Sequence, residues 1–257
     1  MSYKIKKIKE RYFYAFIFFI VILYFWQFFT KFFHIPEYIL PAPSQIAVSF
    51  QKSSGIFLKH TLVTSGEIIS GFIIGATLGV VLAIFISASK ILLKTIYPLI
   101  ISVQSLPKLA LAPLFVIWFG FGVLPKIIIT ALVVFFPVMI NTIKGLFSVS
   151  SDLLDFMKSL RASKSQILFK IQIPFSLPYL FTGLKISSTL AVVGAIIGEF
   201  VGADKGLGYL IMISSTNLNT SYMFVALILL AVIGLLLFGL IGLLERVILP
   251  WHIIDNE

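Results

Sequence analysis

Three ionisable side chains fall inside stretches that are otherwise apolar: Glu67, Lys108 and Glu199. Such groups are costly at membrane depth and mark solute pathways, partner contacts or helix ends. Lys108 could attract an anionic or polar solute, or snorkel along its own helix. Glu199 could line a gate or bond a helix end, and Glu67 could reach water or a partner group. Enzymatic chemistry has less to work with. The ten acids are dispersed, and His34, His60 and His252 lie far apart with no partner at metal-ligand spacing. There is no cysteine, which excludes disulfides, thiolate metal sites and cysteine nucleophiles. The Gly202-x-x-x-Gly206-x-Gly208 stretch lacks a following Lys-Ser/Thr pair and reads as a turn rather than a phosphate cradle. The chain is therefore expected to be no enzyme, with no catalytic residue, no metal and no bound cofactor of its own.

The elements that must hold these residues are membrane helices. Of 257 residues 59% are hydrophobic and 12% charged, and mean hydropathy is +1.08. Soluble chains carry about 25% charge, so too little polarity remains here to wet a globular surface. The expected spans are residues 13–33, 62–87, 95–119, 125–143, 177–201 and 222–244, six helices of about 20 residues each. The basic stretch before Phe13 resembles a signal peptide, but the apolar run is too long and no small-residue cleavage site follows, so it is read as a retained first helix. With the N-terminus inside, fourteen lysines and arginines fall on the inner side, five on the outer and Lys108 within a span. Basic loops stay cytoplasmic, which places both termini inside. The net charge of +10 is accordingly read as a topology signal, and nucleic acid is not an expected partner.

Two spans carry glycine at every fourth position: Gly71, Gly75, Gly79 and Gly194, Gly198, Gly202. That step keeps each triplet on one helix face, where another helix can approach closely. Pro107 and Pro113 should both break the third span, since each removes a donor and clashes with the preceding turn. A broken helix at this depth must face protein or a water-lined cavity. Trp118 and Trp251 suit interfacial anchoring.

One long inner loop, residues 144–176, reads as two short helices. Ser150, Ser151 or Asp152 caps the first, whose apolar stripe is Leu153, Leu154, Met157 and Leu160. Ser163 or Ser165 caps a second one bearing Ile167, Leu168 and Ile171 and stopped by Pro174. By periodicity alone the stripe serves equally well against a partner protein, the chain's own helices or lipid.

The run Asp155-Phe156-Met157-Lys158-Ser159-Leu160-Arg161-Ala162-Ser163, followed by Ile171-Gln172-Ile173-Pro174, resembles the "EAA" loop of binding-protein-dependent ABC importer permeases. That pattern is acid-Ala-Ala, three residues, Gly, nine residues, Ile-x-Leu-Pro. The chain is also similar to the nitrate/sulfonate/taurine branch at Leu40-Pro41-Ala42-Pro43-Ser44, His60 through Gly71-Phe72, and Leu111-Ala112-Pro113-Leu114 with Trp118-Phe119-Gly120. Further matches are Glu199 before Gly206-Leu207-Gly208, and Glu245 near Pro250-Trp251. Three positions depart from the pattern. Phe156 and Met157 replace the alanines, Arg161 stands in the glycine position, and Glu67 replaces a frequent basic residue.

The resemblance implies an all-α integral membrane protein with the type I ABC importer permease fold and a cytoplasmic coupling-helix loop. Residues 1–55 would be an N-terminal tail, the first span and a periplasmic segment, and 56–257 the permease domain. Asp155, Phe156, Met157, Leu160, Arg161, Ala162, Ser163, Ile171 and Pro174 would couple to the ATPase. Pro107, Lys108 and Glu199 are candidates for the translocation pathway. The implied partners are two ABC ATPase subunits carrying ATP and magnesium, a second permease copy as a homodimer, a solute-binding protein and the inner-membrane bilayer. Solutes of the branch range from sulfonate- or nitrate-like anions to pyrimidine- or riboflavin-like aromatics, and residues 191–208 lie nearer the aromatic members. The rival is a self-sufficient secondary transporter, which would show internal repeats; none is evident.

Overall fold

The computed structural model describes residues 2–251, and His252 lies outside them. Among the described residues all regular structure is helical: α1 (Ser2–Phe32), α2 (Pro43–Lys52), α3 (Ser54–Ser87), α4 (Lys90–Gln104), α5 (Lys108–Phe119) and α6 (Val123–Leu146). After α7 (Ser151–Ser159) and α8 (Lys164–Ile167) come a π-helical turn (Leu168–Gln172), α9 (Ile173–Gly202), α10 (Leu207–Thr216) and α11 (Thr220–Ile248). Helices α3, α6, α8 through α9, and α11 are long and apolar enough to cross a bilayer, and α4 with α5 makes a fifth span bent by 95°. The expected first span corresponds to the shorter apolar stretch Phe16–Phe32. The all-helical expectation is met, and the number of spans is roughly consistent with about six.

Two prolines behave differently from their sequence reading. The bend falls at Ser105–Pro107, where the residue preceding proline is pushed out of the helical region, whereas Pro113 sits inside α5 and breaks nothing. Pro174 does not stop the loop's second helix either. The chain widens into the π-turn, where the Ile173 N–H reaches the Leu168 carbonyl five residues back. That wider turn admits the proline ring in the first turn of α9, so residues 164–202 form one continuous helix.

The chain forms two compact units, Met1–Lys59 with Leu210–Ile228, and His60–Tyr209 with Leu229–Glu257. In the first, Thr220 Oγ1 donates to the Tyr38 carbonyl at 2.6 Å and Ser221 Oγ to Glu37 at 2.6 Å. Tyr222 bonds Ser53 and packs on the buried Phe57 ring. Satisfying the chain between α1 and α2 through side chains at the start of α11 explains how non-helical backbone survives there.

The second unit is organised around α6. Of its spanning stretch 56% is buried, against 28–44% in the other long spans, which makes it the central helix. The first glycine triplet and two members of the second, Gly194 and Gly198, grip it, while Gly202 meets Val116 and Phe121. A Cβ on Gly79 would sit 2.9 Å from the Phe135 carbonyl, and Gly71 and Gly75 meet Thr130 and Ala131. On another side a Cβ on Gly194 would be 2.8 Å from Thr130 Cα and one on Gly198 2.9 Å from Lys126 Cα. Lipid tails are as apolar as leucine, so backbone contact of this closeness supplies much of the helix association. Ala83, Ile86, Phe136, Met139 and Ile143 form the buried cluster on which α4 packs through Leu93, Ile96 and Ile100.

Candidate functional site

The loop at residues 144–176 is pinned at its base. Gly145 near the end of α6 lies against Ser176 of α9 so closely that a Cβ would fall 2.8 Å from Ser176 Cα. From there α7 ends in a Schellman turn. Arg161 N–H donates to the Lys158 carbonyl at 2.9 Å and Ala162 N–H to the Met157 carbonyl at 3.1 Å. Arg161 occupies the left-handed position with φ 58°, the place where glycine carries no Cβ penalty. Ser163 then caps α8 reciprocally with Gln166: the Gln166 N–H donates to Ser163 Oγ at 3.2 Å, and Ser163 N–H to Gln166 Oε1 at 2.8 Å. Arg161→Gly is expected to stabilise the turn by about 1 kcal/mol. A rise in the thermal midpoint of the purified protein checks this, and a fall would show that Arg161 contributes through its side chain.

The structure splits the stripe that periodicity selects, leaving Leu160 exposed and the other three members half-covered. Leu153, Leu154 and Met157 are half-buried against the protein, while Phe156 and Leu160, one turn apart, stand 59% and 62% exposed. Phe156 and Leu160 lie on the face of α7 adjacent to its half-covered 153/154/157 side, since successive residues turn about 100° round the helix. Lys158 is engaged by Asp155 at 2.7 Å in an exposed pair. Ile171 and Pro174 are half-buried in the π-turn and the start of α9, and Ala162 is likewise half-buried.

At the far end of α9 the structure assembles a buried polar cluster. Glu199 is fully buried and serves the start of α10, accepting from the N–H groups of Gly208 at 2.5 Å and Tyr209 at 3.3 Å. Thr64 Oγ1 donates to Glu199 Oε1 at 2.6 Å and accepts from the Leu207 N–H at 2.8 Å. The carboxylate thus meets both the unsatisfied amides and the positive end of the helix. Gly206, at φ 118°, turns the chain here, and a Cβ on it would collide with the Glu199 carboxyl group. The His60 ring joins through Nδ1, which lies 2.9 Å from the Gly206 N–H that donates to it, and it stacks on Tyr209.

Next to Glu199 lies a buried ion pair. Lys126 Nζ donates to Glu67 Oε1 at 2.9 Å, with both side chains 4% exposed or less. Glu67 Oε2 is buried without a hydrogen-bond partner, and Glu199 is close enough to interact with Glu67 directly. Lys126, one of the five basic residues counted on the outer side, is thus buried in this pair. The pairing was foreshadowed by spacing: Glu67 stands four residues before Gly71 on the face that packs against α6, and Lys126 stands four before Thr130.

Lys108 occupies the bend between α4 and α5. Its half-buried ammonium donates to the Gln104 carbonyl at 2.9 Å and lies 5.6 Å from the centre of the Phe136 ring. A cation there compensates the carbonyl end of α4 that Pro107 leaves open. No group of three or more metal-ligating residues occurs among the described residues.

A family model described as "binding-protein-dependent transport system inner membrane component" matches residues 75–249. The chain is 34% identical to the formylaminopyrimidine transport permease protein ThiX of Halalkalibacterium halodurans, over 92% of this chain and 94% of that one. It is 35% identical to the riboflavin transport system permease protein RibX of Chloroflexus aurantiacus, over 90% and 87%. Identity to the taurine transport system permease protein TauC of Escherichia coli is 28%, over 85% and 82%. In fold it is similar to a chain from an inward-facing structure of the MetNI methionine ABC transporter, with TM-score 0.59 and 22% identity, covering 74% of this chain and 93% of that one.

Proposed function

The chain belongs to the family of binding-protein-dependent transport system inner membrane components, and from that premise we propose how it works as the permease subunit of an ATP-binding cassette importer. It is a multi-pass inner-membrane transporter component and performs no hydrolysis itself; two copies form the pore and two ATPase subunits bind beneath it. Both termini and the loop at residues 144–176 face the cytoplasm. The rival of a self-sufficient secondary transporter is set aside by the family.

The observation that supports the mechanism is continuity. The exposed Phe156–Leu160 pair sits on a loop fused to a helix that runs unbroken from Lys164 to Gly202, and Glu199 near its far end holds the first turn of α10. At 1.5 Å per residue the 35 steps from Lys164 to Glu199 span about 52 Å, the full depth of a bilayer. Closure of the ATPases on ATP moves the loop, and α9 carries that displacement to the outer end as a rigid element. The pore then alternates between inward and outward access to a solute delivered by the binding protein. The names of the relatives favour a small aromatic solute of pyrimidine or flavin type over a sulfonate-like anion. Lys108 and Pro107, at the bend of α4 and α5, are the groups placed to meet it.

Because the chain has no cysteine, Phe156→Cys supplies a unique thiol. The expected result is labelling by a membrane-impermeant maleimide in inside-out vesicles but not in intact cells, and cross-linking to the ATPase. Labelling from outside would overturn the orientation.

A further inference from the structure

On the inner half of the second unit, an exposed face of α11 beside Lys185 of α9 forms an open groove that the transport mechanism does not use. Its walls are Leu235, Leu236, Leu240 and Leu243 of α11, and its charged end holds Lys185, Glu245 and Arg246. Gly239 and Gly242 form part of its lining. A Cβ on Gly239 would meet nothing within 4 Å, and one on Gly242 would only touch Lys185 Cε at 4.0 Å. Lys185 and Glu245 neutralise each other in an ion pair. Arg246 is exposed at the mouth.

We propose that this groove holds one anionic glycerophospholipid of the cytoplasmic leaflet, its acyl chain along Leu235–Leu243 and its phosphate on Arg246. The leaflet assignment rests on the orientation given above. Length supports a lipid over a soluble anion. From Leu235 to Arg246 the helix rises about 16 Å, which is one leaflet's share of a hydrocarbon core about 30 Å thick. Apolar at one end and basic at the other, the groove matches a lipid in both polarity and depth. Charge supports an anionic lipid over a zwitterionic one. The Lys185–Glu245 pair leaves one cation over, and basic pockets between helices on the cytoplasmic side bind anionic headgroups. The guanidinium is also the group suited to grip a phosphate with two parallel donors.

The test uses the whole permease–ATPase complex in nanodiscs of phosphatidylcholine with or without phosphatidylglycerol, and native mass spectrometry of the lipid it retains. Wild type is expected to enrich phosphatidylglycerol over phosphatidylcholine. Arg246→Gln should cut that enrichment about fivefold, and Arg246→Lys should restore most of it. Gly239→Leu should expel the lipid while the complex stays folded, because open space receives the side chain. Inorganic phosphate should not compete. Equal retention of both lipids by wild type, or undiminished enrichment in both Arg246→Gln and Gly239→Leu, overturns the proposal. So does competition by phosphate, which would make the site one for a soluble anion, or a change of oligomeric state in Gly239→Leu, which would make the groove a protein interface. The readout is independent of transport, so its failure leaves the coupling mechanism standing.

Discussion

Leu160→Asp is expected to leave the permease folded and to abolish stimulation of the ATPase by solute-loaded binding protein. The side chain is 62% exposed and lies at the end of α7 beside the Schellman turn, so an aspartate there meets water in the isolated chain and costs the fold little. Under the coupling proposed above, the same position is desolvated against the ATPase in the assembled importer. An unpaired charge buried in an apolar contact costs several kcal/mol, and each 1.4 kcal/mol is tenfold in affinity, so docking should weaken by orders of magnitude. Phe156→Asp should behave alike, because Phe156 shares that face one turn away. Met157→Asp should differ, destabilising the loop itself, since Met157 is half-buried against the protein. Removing the exposed Lys164 should change coupling little, as surface charges contribute about 0–1 kcal/mol. Unaltered ATPase stimulation in purified Leu160→Asp complexes would mean that this loop is not the coupling element.

Spacing located two helical pieces and a turn at Arg161, and the Schellman bonds explain why glycine is preferred there. Periodicity could not say which side of α7 faces the protein. Leu153, Leu154, Met157 and Leu160 read as one stripe, yet Leu160 joins Phe156 on the exposed side while the other three are half-covered. Pro174 was misleading for a related reason. A proline's effect depends on the turn before it, and the π-turn at Leu168–Gln172 accommodates a ring that an α-helical turn would reject.

The cluster at the end of α9 was legible in its parts but not in its pairing. Glu199, Gly206, Gly208 and His60 each stood out as separate positions. That Glu199 caps α10 through Gly208 and Tyr209 could not be read, because α10 itself is a short apolar helix whose first turn has no capping residue of its own. The cap comes from another helix. Lys126 was hidden by its place near the start of α6, where a lysine normally reaches the headgroups. Four-residue spacing held the clue, since the glycine face of α3 extends backward to Glu67 and must meet whatever α6 presents.

That meeting produces the second large expected effect. Lys126→Met should sharply reduce the yield and thermal midpoint of folded protein, with a loss of about 3–5 kcal/mol against a total stability commonly of about 5–15. The methionine fills roughly the space of the lysine stem, so packing against Gly198 is largely kept and the cost is electrostatic. Glu67 is left buried without its counter-ion, and the Glu199 carboxylate adds repulsion. Removing both charges should be far milder. In Glu67→Leu/Lys126→Met no uncompensated ion remains, and replacing a buried pair by apolar groups is often neutral. Thermal unfolding of the two single variants and the double variant in one detergent gives the coupling energy directly. A double variant as unstable as Lys126→Met would show that the lysine acts through packing, and a Lys126→Met protein as stable as wild type would show that the pair is screened by solvent in the assembled importer. If the double variant folds and still transports, the pair serves to join α3 to α6. If it folds and fails to transport, the charges act in the cycle, at the end of α9 that the coupling loop moves.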